Sequence, residues 1–157
     1  MAPITVRVAV ATDATDLVEG NLALALETEE LQLDRTVLHE GVRTVIHSAV
    51  GAEYLVAVQS ETNSVVGQLM ITTEWSDWRN RPVWWVQSVY VWPHARQGGV
   101  YRALYEATCA RALSAGAAGV RLYVDNRNAR AQAVYTRLGM NGDHYRVFEA
   151  MFATEDH

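Results

Sequence analysis

Apolar positions along this 157-residue chain change their period several times, and each change predicts an element. The run ITVRVAV, Ile4 to Val10, alternates as a first strand does. Thr12 or Asp13 then offers a side-chain oxygen to cap a helix through LVEGNLALALETEEL, to about Leu31. A second helix is predicted over 34–47. Segments 53–59 and 65–73 read as strands joined by the polar turn SETNS, a hairpin. The stretch VWWVQSVYVW, Val83 to Trp92, is dense in β-branched and aromatic residues that suit a pleated, buried surface. From about Gly99 the period becomes helical: Val100, Ala103, Leu104, Ala107 and Leu113 recur with Arg102, Glu106 and Arg111 between them. A strand at 120–124, a helix at 128–138 and a last strand near 145–152 complete the order βααβββαβαβ. Pattern alone gives an α/β or α+β domain, with no internal repeat, low-complexity tract or linker.

Length narrows this to one domain over residues 1–157, since a chain of this size buries about two thirds of its unfolded surface around a single core. Half of the residues are hydrophobic, which excludes disorder, and no run of about 18 apolar residues exists to cross a membrane. The start, MAPITVRVAV, is too short for a signal peptide and is broken by Arg7, so cytoplasmic residence is expected. Cys109 is the sole cysteine and reads as a small buried helix residue. A net charge of −5 argues against a nucleic-acid partner, whose phosphates need clustered cations, and suits a cationic small molecule.

The segment PHARQGGVYRALY, Pro93 to Tyr105, carries the clearest chemistry. It places Gly98 and Gly99 where a strand gives way to a helix, with Arg96 just before them. A helix start has N–H groups without intrahelical partners and the positive end of the macrodipole, so it attracts anions. The glycines admit a close approach to the backbone and Arg96 adds a full charge. Neither GxGxxG nor GxxxxGK followed by Ser or Thr is present. A strand-to-helix turn that merely needs permissive dihedrals explains the glycine pair equally well by itself.

A second segment, NARAQAVYTRLGM from Asn128 to Met140, sharpens the choice. Together the two segments resemble the GNAT N-acetyltransferase superfamily, most strongly from residue 84 to 140. Its pattern R/Q-x-x-G-x-G/A for the coenzyme A pyrophosphate is met by Arg96, Gln97, Gly98, Gly99, Val100 and Tyr101, where Tyr101 replaces the expected Gly or Ala. Its downstream Asn, small residues, Tyr and Gly are matched by Asn128, Ala129, Ala131, Tyr135 and Gly139. The resemblance implies a mixed, mainly antiparallel sheet flanked by about four helices, and acetyl-CoA as the donor, with no metal. It implies that Val89, Tyr90 and Val91 offer main-chain groups to the coenzyme, and that Arg96 to Arg102, Asn128 and Tyr135 surround it.

The implied reaction is direct attack of an amine on the thioester in a ternary complex. Tyr135 is the candidate acid: a phenol is protonated at neutral pH and can donate to the departing sulfur. A helix tyrosine packed on the sheet is the alternative. Many relatives hold a carboxylate on the strand before the cradle, but Gln87 and Ser88 stand there. Glu27, Glu29 and Glu30 are the outside candidates for a base and for binding a cationic amine, Glu27 and Glu30 lying three apart on one predicted helix face, unless they form only a solvated acidic face. A water chain or an amine that arrives neutral are the other routes, and His94 reads as a surface residue. All five tryptophans lie between Trp75 and Trp92. Trp75 and Trp78 either wall the acceptor pocket with Gln87 or pack in a homodimer interface. A small-molecule amine is the favoured acceptor. The rival readings are a protein amine or a non-catalytic acyl-CoA sensor.

Overall fold

The computed structural model describes residues 3–47 and 50–152. Five strands, β1 (Ile4–Val8), β2 (Glu53–Gln59), β3 (Ser64–Ser76), β4 (Arg81–Val91) and β5 (Val120–Leu122), form one sheet in the order β1-β2-β3-β4-β5. All pairings are antiparallel except the parallel β4–β5 pair. Helices α1 (Ala14–Glu29), α2 (Arg35–Ile46), α3 (Val100–Ser114) and α4 (Ala129–Arg137) complete a mixed α/β fold.

The near-continuous apolar run of β2 follows from cover on both faces. Tyr54, Val56 and Val58 pack with Leu17, Val18, Val42 and Val45 of α1 and α2. Leu55 and Ala57 face the other way and join Val66, Leu69, Val86 and the α3 residues Val100 and Leu104. Period-two alternation thus assigns successive residues to two half-cores. Gly67 lets α3 sit close: a Cβ there would lie 2.6 Å from Val100 Cγ1.

β4 changes character midway. Its register with β3 shifts between Gln68 and Met70, so Gln68 faces Tyr90 while Met70 faces Gln87. Ser88 absorbs this bulge with a left-handed φ of 53°, uncommon outside glycine. On the other side β5 pairs only with Trp84, Trp85 and Val86. Beyond Val86 the β4 edge therefore opens, bounded by the start of α3 and the chain after β5.

Two expectations are corrected. β1 stops at Val8, and the chain turns through a short 3-10 segment at Ala11–Asp13. Asp13 holds this turn, accepting from Val10 N–H at 2.8 Å and from both terminal nitrogens of Arg7 at 2.7 and 3.0 Å. No strand forms over 145–152 either; Val147, Phe148, Met151 and Phe152 are exposed. β5 is only three residues long and offers a short edge. Tyr145 meets it through its ring, 5.4 Å from the Arg121 guanidinium, and not through a ladder. No helix of the described residues is long and apolar enough to cross a membrane.

Candidate active site

Val91 ends β4, a 3-10 turn covers Pro93–Ala95, and the chain reaches Arg96 in extended conformation. Gln97 and Gly99 then take left-handed φ values of 62° and 79°. A Cβ on Gly99 would meet nothing within 4 Å, so glycine is needed there for its dihedral and not for space. The first bond into α3 runs from Ala103 N–H to Gly99 C=O at 3.0 Å. Earlier N–H groups at this helix start lack helical partners, and turns of this kind form concave anion sites. Val100 turns its side chain into the core, leaving only its main chain to the turn.

Arg96 borders this cradle. Its Nε donates to Val91 C=O at 3.0 Å, one terminal nitrogen donates to Glu27 Oε1 at 2.8 Å, and the guanidinium lies 5.5 Å from the centre of the Tyr90 ring. The Tyr90 hydroxyl donates to Glu27 Oε2. Glu27 is thus drawn into the cradle from the end of α1, with both oxygens engaged. Burial by itself would raise its carboxyl, but the bonds from Tyr90 and Arg96 and the charges of Arg96 and Arg130 hold it below the ordinary carboxylate range. Tyr90 is pushed up to about 12 by burial and by the Glu27 hydrogen bond and charge. A carboxylate so committed makes a poor proton acceptor.

α4 carries Tyr135, and both of its ends are capped. Asn128 Oδ1 accepts from Ala131 N–H at 3.0 Å, an N-cap. Gly139, at φ 88°, closes the C-terminus: its N–H reaches Thr136 C=O at 3.0 Å and Met140 N–H reaches Tyr135 C=O at 3.1 Å. The Asn-to-Gly spacing of this segment therefore delimits a short helix that presents one tyrosine. The Tyr135 ring lies 5.5 Å from that of Tyr101, tilted by 46°, which brings it to the first turn of α3 beside the cradle. Burial raises the Tyr135 phenol, partly offset by the Tyr101 hydroxyl.

Other predicted residues are placed as follows. Glu30 lies past the end of α1 in a left-handed conformation, φ 56°, so it does not continue the helix face of Glu27. The charges of Glu29 and Glu30 are felt by Arg127, which is itself paired with Asp125 at 2.8 Å. Gln87 donates to Thr72 Oγ1 at 2.7 Å and is pinned to the neighbouring strand. The Arg102 side chain pairs with Glu106 on the solvent face of α3. Trp75 and Trp78 sit at the β3–β4 hairpin tip, 63% and 88% exposed. Trp75 pairs with Pro82, about seven strand residues from Val89, or roughly 23 Å of strand. The structure does not bring these tryptophans to the cradle. Two contacts escaped sequence reasoning, Tyr90 with Glu27 and Tyr101 with Tyr135. The misfit of Tyr101 to the glycine pattern was the one signal that could have exposed the second.

A diphosphate with an extended arm fits this arrangement. The orphan N–H groups and Arg96 match the anion, and the open β4 edge from Gln87 to Val91 offers main-chain groups to a chain laid beside it. The Tyr135 ring lies beside it, against Tyr101.

A family model for the acetyltransferase (GNAT) family matches residues 23–140. Among solved structures, a possible acetyltransferase from Clostridium difficile 630 is 35% identical, with a TM-score of 0.86 over 95% of this chain and 97% of that one. A transcriptional regulator from Bacillus halodurans C-125 is 20% identical, with a TM-score of 0.81 over 95% and 100% of the two chains. A predicted acetyltransferase with acetyl-CoA from Clostridium acetobutylicum is 14% identical, with a TM-score of 0.74 over 94% and 96%. The last two show likeness of fold alone. No curated protein matches the chain.

Proposed function

Because the chain belongs to the GNAT acetyltransferase family, we propose that it is an acetyl-CoA-dependent N-acetyltransferase acting on a primary amine of a small metabolite. The observation that carries this reading is the meeting of the Arg96-bordered cradle with Tyr135 across Tyr101. Acetyl-CoA supplies a thioester whose C–S bond breaks as the C–N bond to the amine forms.

In this reading the N–H groups at the start of α3 and Arg96 hold the pyrophosphate, while the open edge of β4 around Val89 and Val91 aligns the pantetheine arm. Tyr135 gives its proton to the departing sulfur and is reprotonated from solvent. Its burial keeps it protonated at neutral pH, as an acid requires. Glu27 serves as the counter-ion that orients Arg96 and Tyr90, so the amine proton leaves along the open cleft to water. With Glu27 committed and Glu30 past the end of α1, the two do not form one acidic helix face to single out a cationic acceptor. The acceptor class rests on the amine alone.

The test is CoA-thiol release from acetyl-CoA with pooled primary amines, comparing the unmodified protein with Tyr135→Phe. All thirteen basic residues are arginine, so acetylation of the protein's own lysines cannot contribute. Amine-dependent release that falls about 10²- to 10⁴-fold in the variant, the range of a lost general acid, supports the proposal. Acetyl-CoA binding without release from any amine would overturn it in favour of a sensor.

A further inference from the structure

A bulge and a buried tyrosine tie the end of α1 to the cradle. By a strict two-residue period Tyr90 would share the face of Val86, which packs with α3. The register shift moves it to the face of Gln87 instead, since Gln68 stands opposite Tyr90 and Met70 opposite Gln87. That is the α1 face: Gln68 Nε2 donates to Leu17 C=O, and Met70 packs against the cluster of α1 and α2. Bulges re-aim side chains beside functional sites. Here the left-handed Ser88 aims Tyr90, only 4% exposed, so that its hydroxyl donates to Glu27 Oε2.

Glu27 carries the restraint on to Arg96. Its other oxygen accepts from one terminal nitrogen of Arg96 at 2.8 Å, while Arg96 Nε donates to Val91 C=O at 3.0 Å. The guanidinium carbon lies 5.5 Å from the centre of the Tyr90 ring, and Trp92 packs edge-on against the same ring at 5.2 Å. An arginine side chain presents five N–H donors in one rigid plane. Two of them are engaged in these bonds, and the other three have no protein acceptor among the described residues. A long, flexible side chain is therefore fixed in plane and direction with donors to spare.

Glu27 acts on an incoming anion in two opposite ways. Its charge repels the anion, and its bonds hold Arg96 ready for it. The Glu27 side chain is 40% exposed, so water and salt weaken the repulsion, while the orienting bonds act at contact distance. Resting on the reading of the cradle as a diphosphate site, we infer that Glu27 and Tyr90 are positioning residues for Arg96. They aim its free N–H groups before the donor arrives and so favour a diphosphate-bearing thioester over a bare pantetheine thioester.

The test is the Kd of three ligands: acetyl-CoA, acetyl-dephospho-CoA, which keeps the diphosphate, and S-acetylpantetheine, which lacks it. Titration calorimetry serves the first two and ligand-observed NMR the third. Binding is read without turnover, so the result does not depend on Tyr135 or on the amine. Glu27→Gln removes the charge and one acceptor, whereas Tyr90→Phe keeps the ring and the charge and removes only the tether. Each should weaken both diphosphate ligands about 2- to 10-fold, the range for ordering one flexible side chain on binding, and leave S-acetylpantetheine unchanged. The double variant should bind like Glu27→Gln alone, and neither substitution should matter in an Arg96→Gln background. Tighter binding by Glu27→Gln would show that repulsion dominates and would overturn the inference. So would a loss shared by all three ligands or one that persists without Arg96. An unmodified protein that binds the diphosphate ligands no better than S-acetylpantetheine would instead remove the diphosphate reading of the cradle, and the positioning role with it.

Discussion

Replacing Gly67 by alanine should disturb the cradle without substituting any residue that lines it. A Cβ at this position would lie 2.6 Å from Val100 Cγ1 and 3.2 Å from Leu104 Cδ1. Ordinary carbon contacts are about 3.5–4.0 Å, so the overlap with Val100 is roughly 1 Å. β3 is paired on both sides, with β2 and β4, and cannot retreat. Val100 is β-branched, buried and confined to about one rotamer in a helix, so its methyl cannot swing aside. The start of α3 must then shift outward, and the turn at Gln97 and Gly99 with it. Overpacking of this kind costs about 1–3 kcal/mol, and a displacement near 1 Å can reduce a positioned reaction by up to about 10²-fold. Urea unfolding and calorimetric titration with acetyl-CoA would measure the two effects. Val100→Ala removes the obstructing methyls, so the double variant should recover at least about 1 kcal/mol relative to the sum of the single losses. Strict additivity, or a Gly67→Ala protein with unaltered stability and affinity, would refute the packing argument.

Two other glycines predict opposite signs for the same substitution. In α2, Gly41 has open space around its missing Cβ, and Gly41→Ala should stabilise by about 0.5–1 kcal/mol through helix propensity. In α1, a Cβ on Gly20 would lie 2.2 Å from Oε1 of the fully buried Gln68, whose Nε2 donates to Leu17 C=O at 3.1 Å. Gly20→Ala should therefore destabilise by about 1–3 kcal/mol in thermal or urea unfolding. At Asp13, burial would raise the carboxyl, but the Arg7 hydrogen bonds, the Val10 N–H and the Arg7 charge hold it below its ordinary value. Its folded pKa is depressed, so its contribution is present above the unfolded value of about 3.9 and is lost as pH falls through the folded one. Arg7→Gln should cost about 1–2 kcal/mol at pH 7, discounted for a half-exposed arginine, and urea midpoints should show the gap to the unmodified protein narrowing below about pH 4. Glu27→Gln should lower kcat/KM for the amine less than about tenfold, with the acid limb of the pH profile unmoved. A fall of 10²-fold or more, the size of a lost general base, would return Glu27 to that role.

Much of the fold was legible in short windows of sequence. The periods of α3 and β2, the cap at Asn128 and the C-terminal glycine at Gly139 are set by residues within one or two turns of each other, and the chain behaves there as its local chemistry requires. The pair Gly98 and Gly99 likewise announced the strand-to-helix turn, which depends on backbone dihedrals more than on distant partners, although the residues that take left-handed φ there are Gln97 and Gly99. The exposed apolar stretch 145–152 shows the limit of that logic: strand propensity is satisfied only by a partner edge, and three residues of β5 do not supply one. Side-chain roles in the site lay further out of reach. Glu27 meets Tyr90 and Arg96 from 63 and 69 positions away, and that meeting converts an apparent free carboxylate into a counter-ion of the cradle. Tyr101 and Tyr135 belong to different helices, and only their packing sets the ring that breaks the glycine pattern against Tyr135. Local periodicity and capping determined which elements form, because their energies arise between near neighbours. Which groups stay free to react was decided by the tertiary structure, because pairing, burial and charge act across space without regard to distance along the chain.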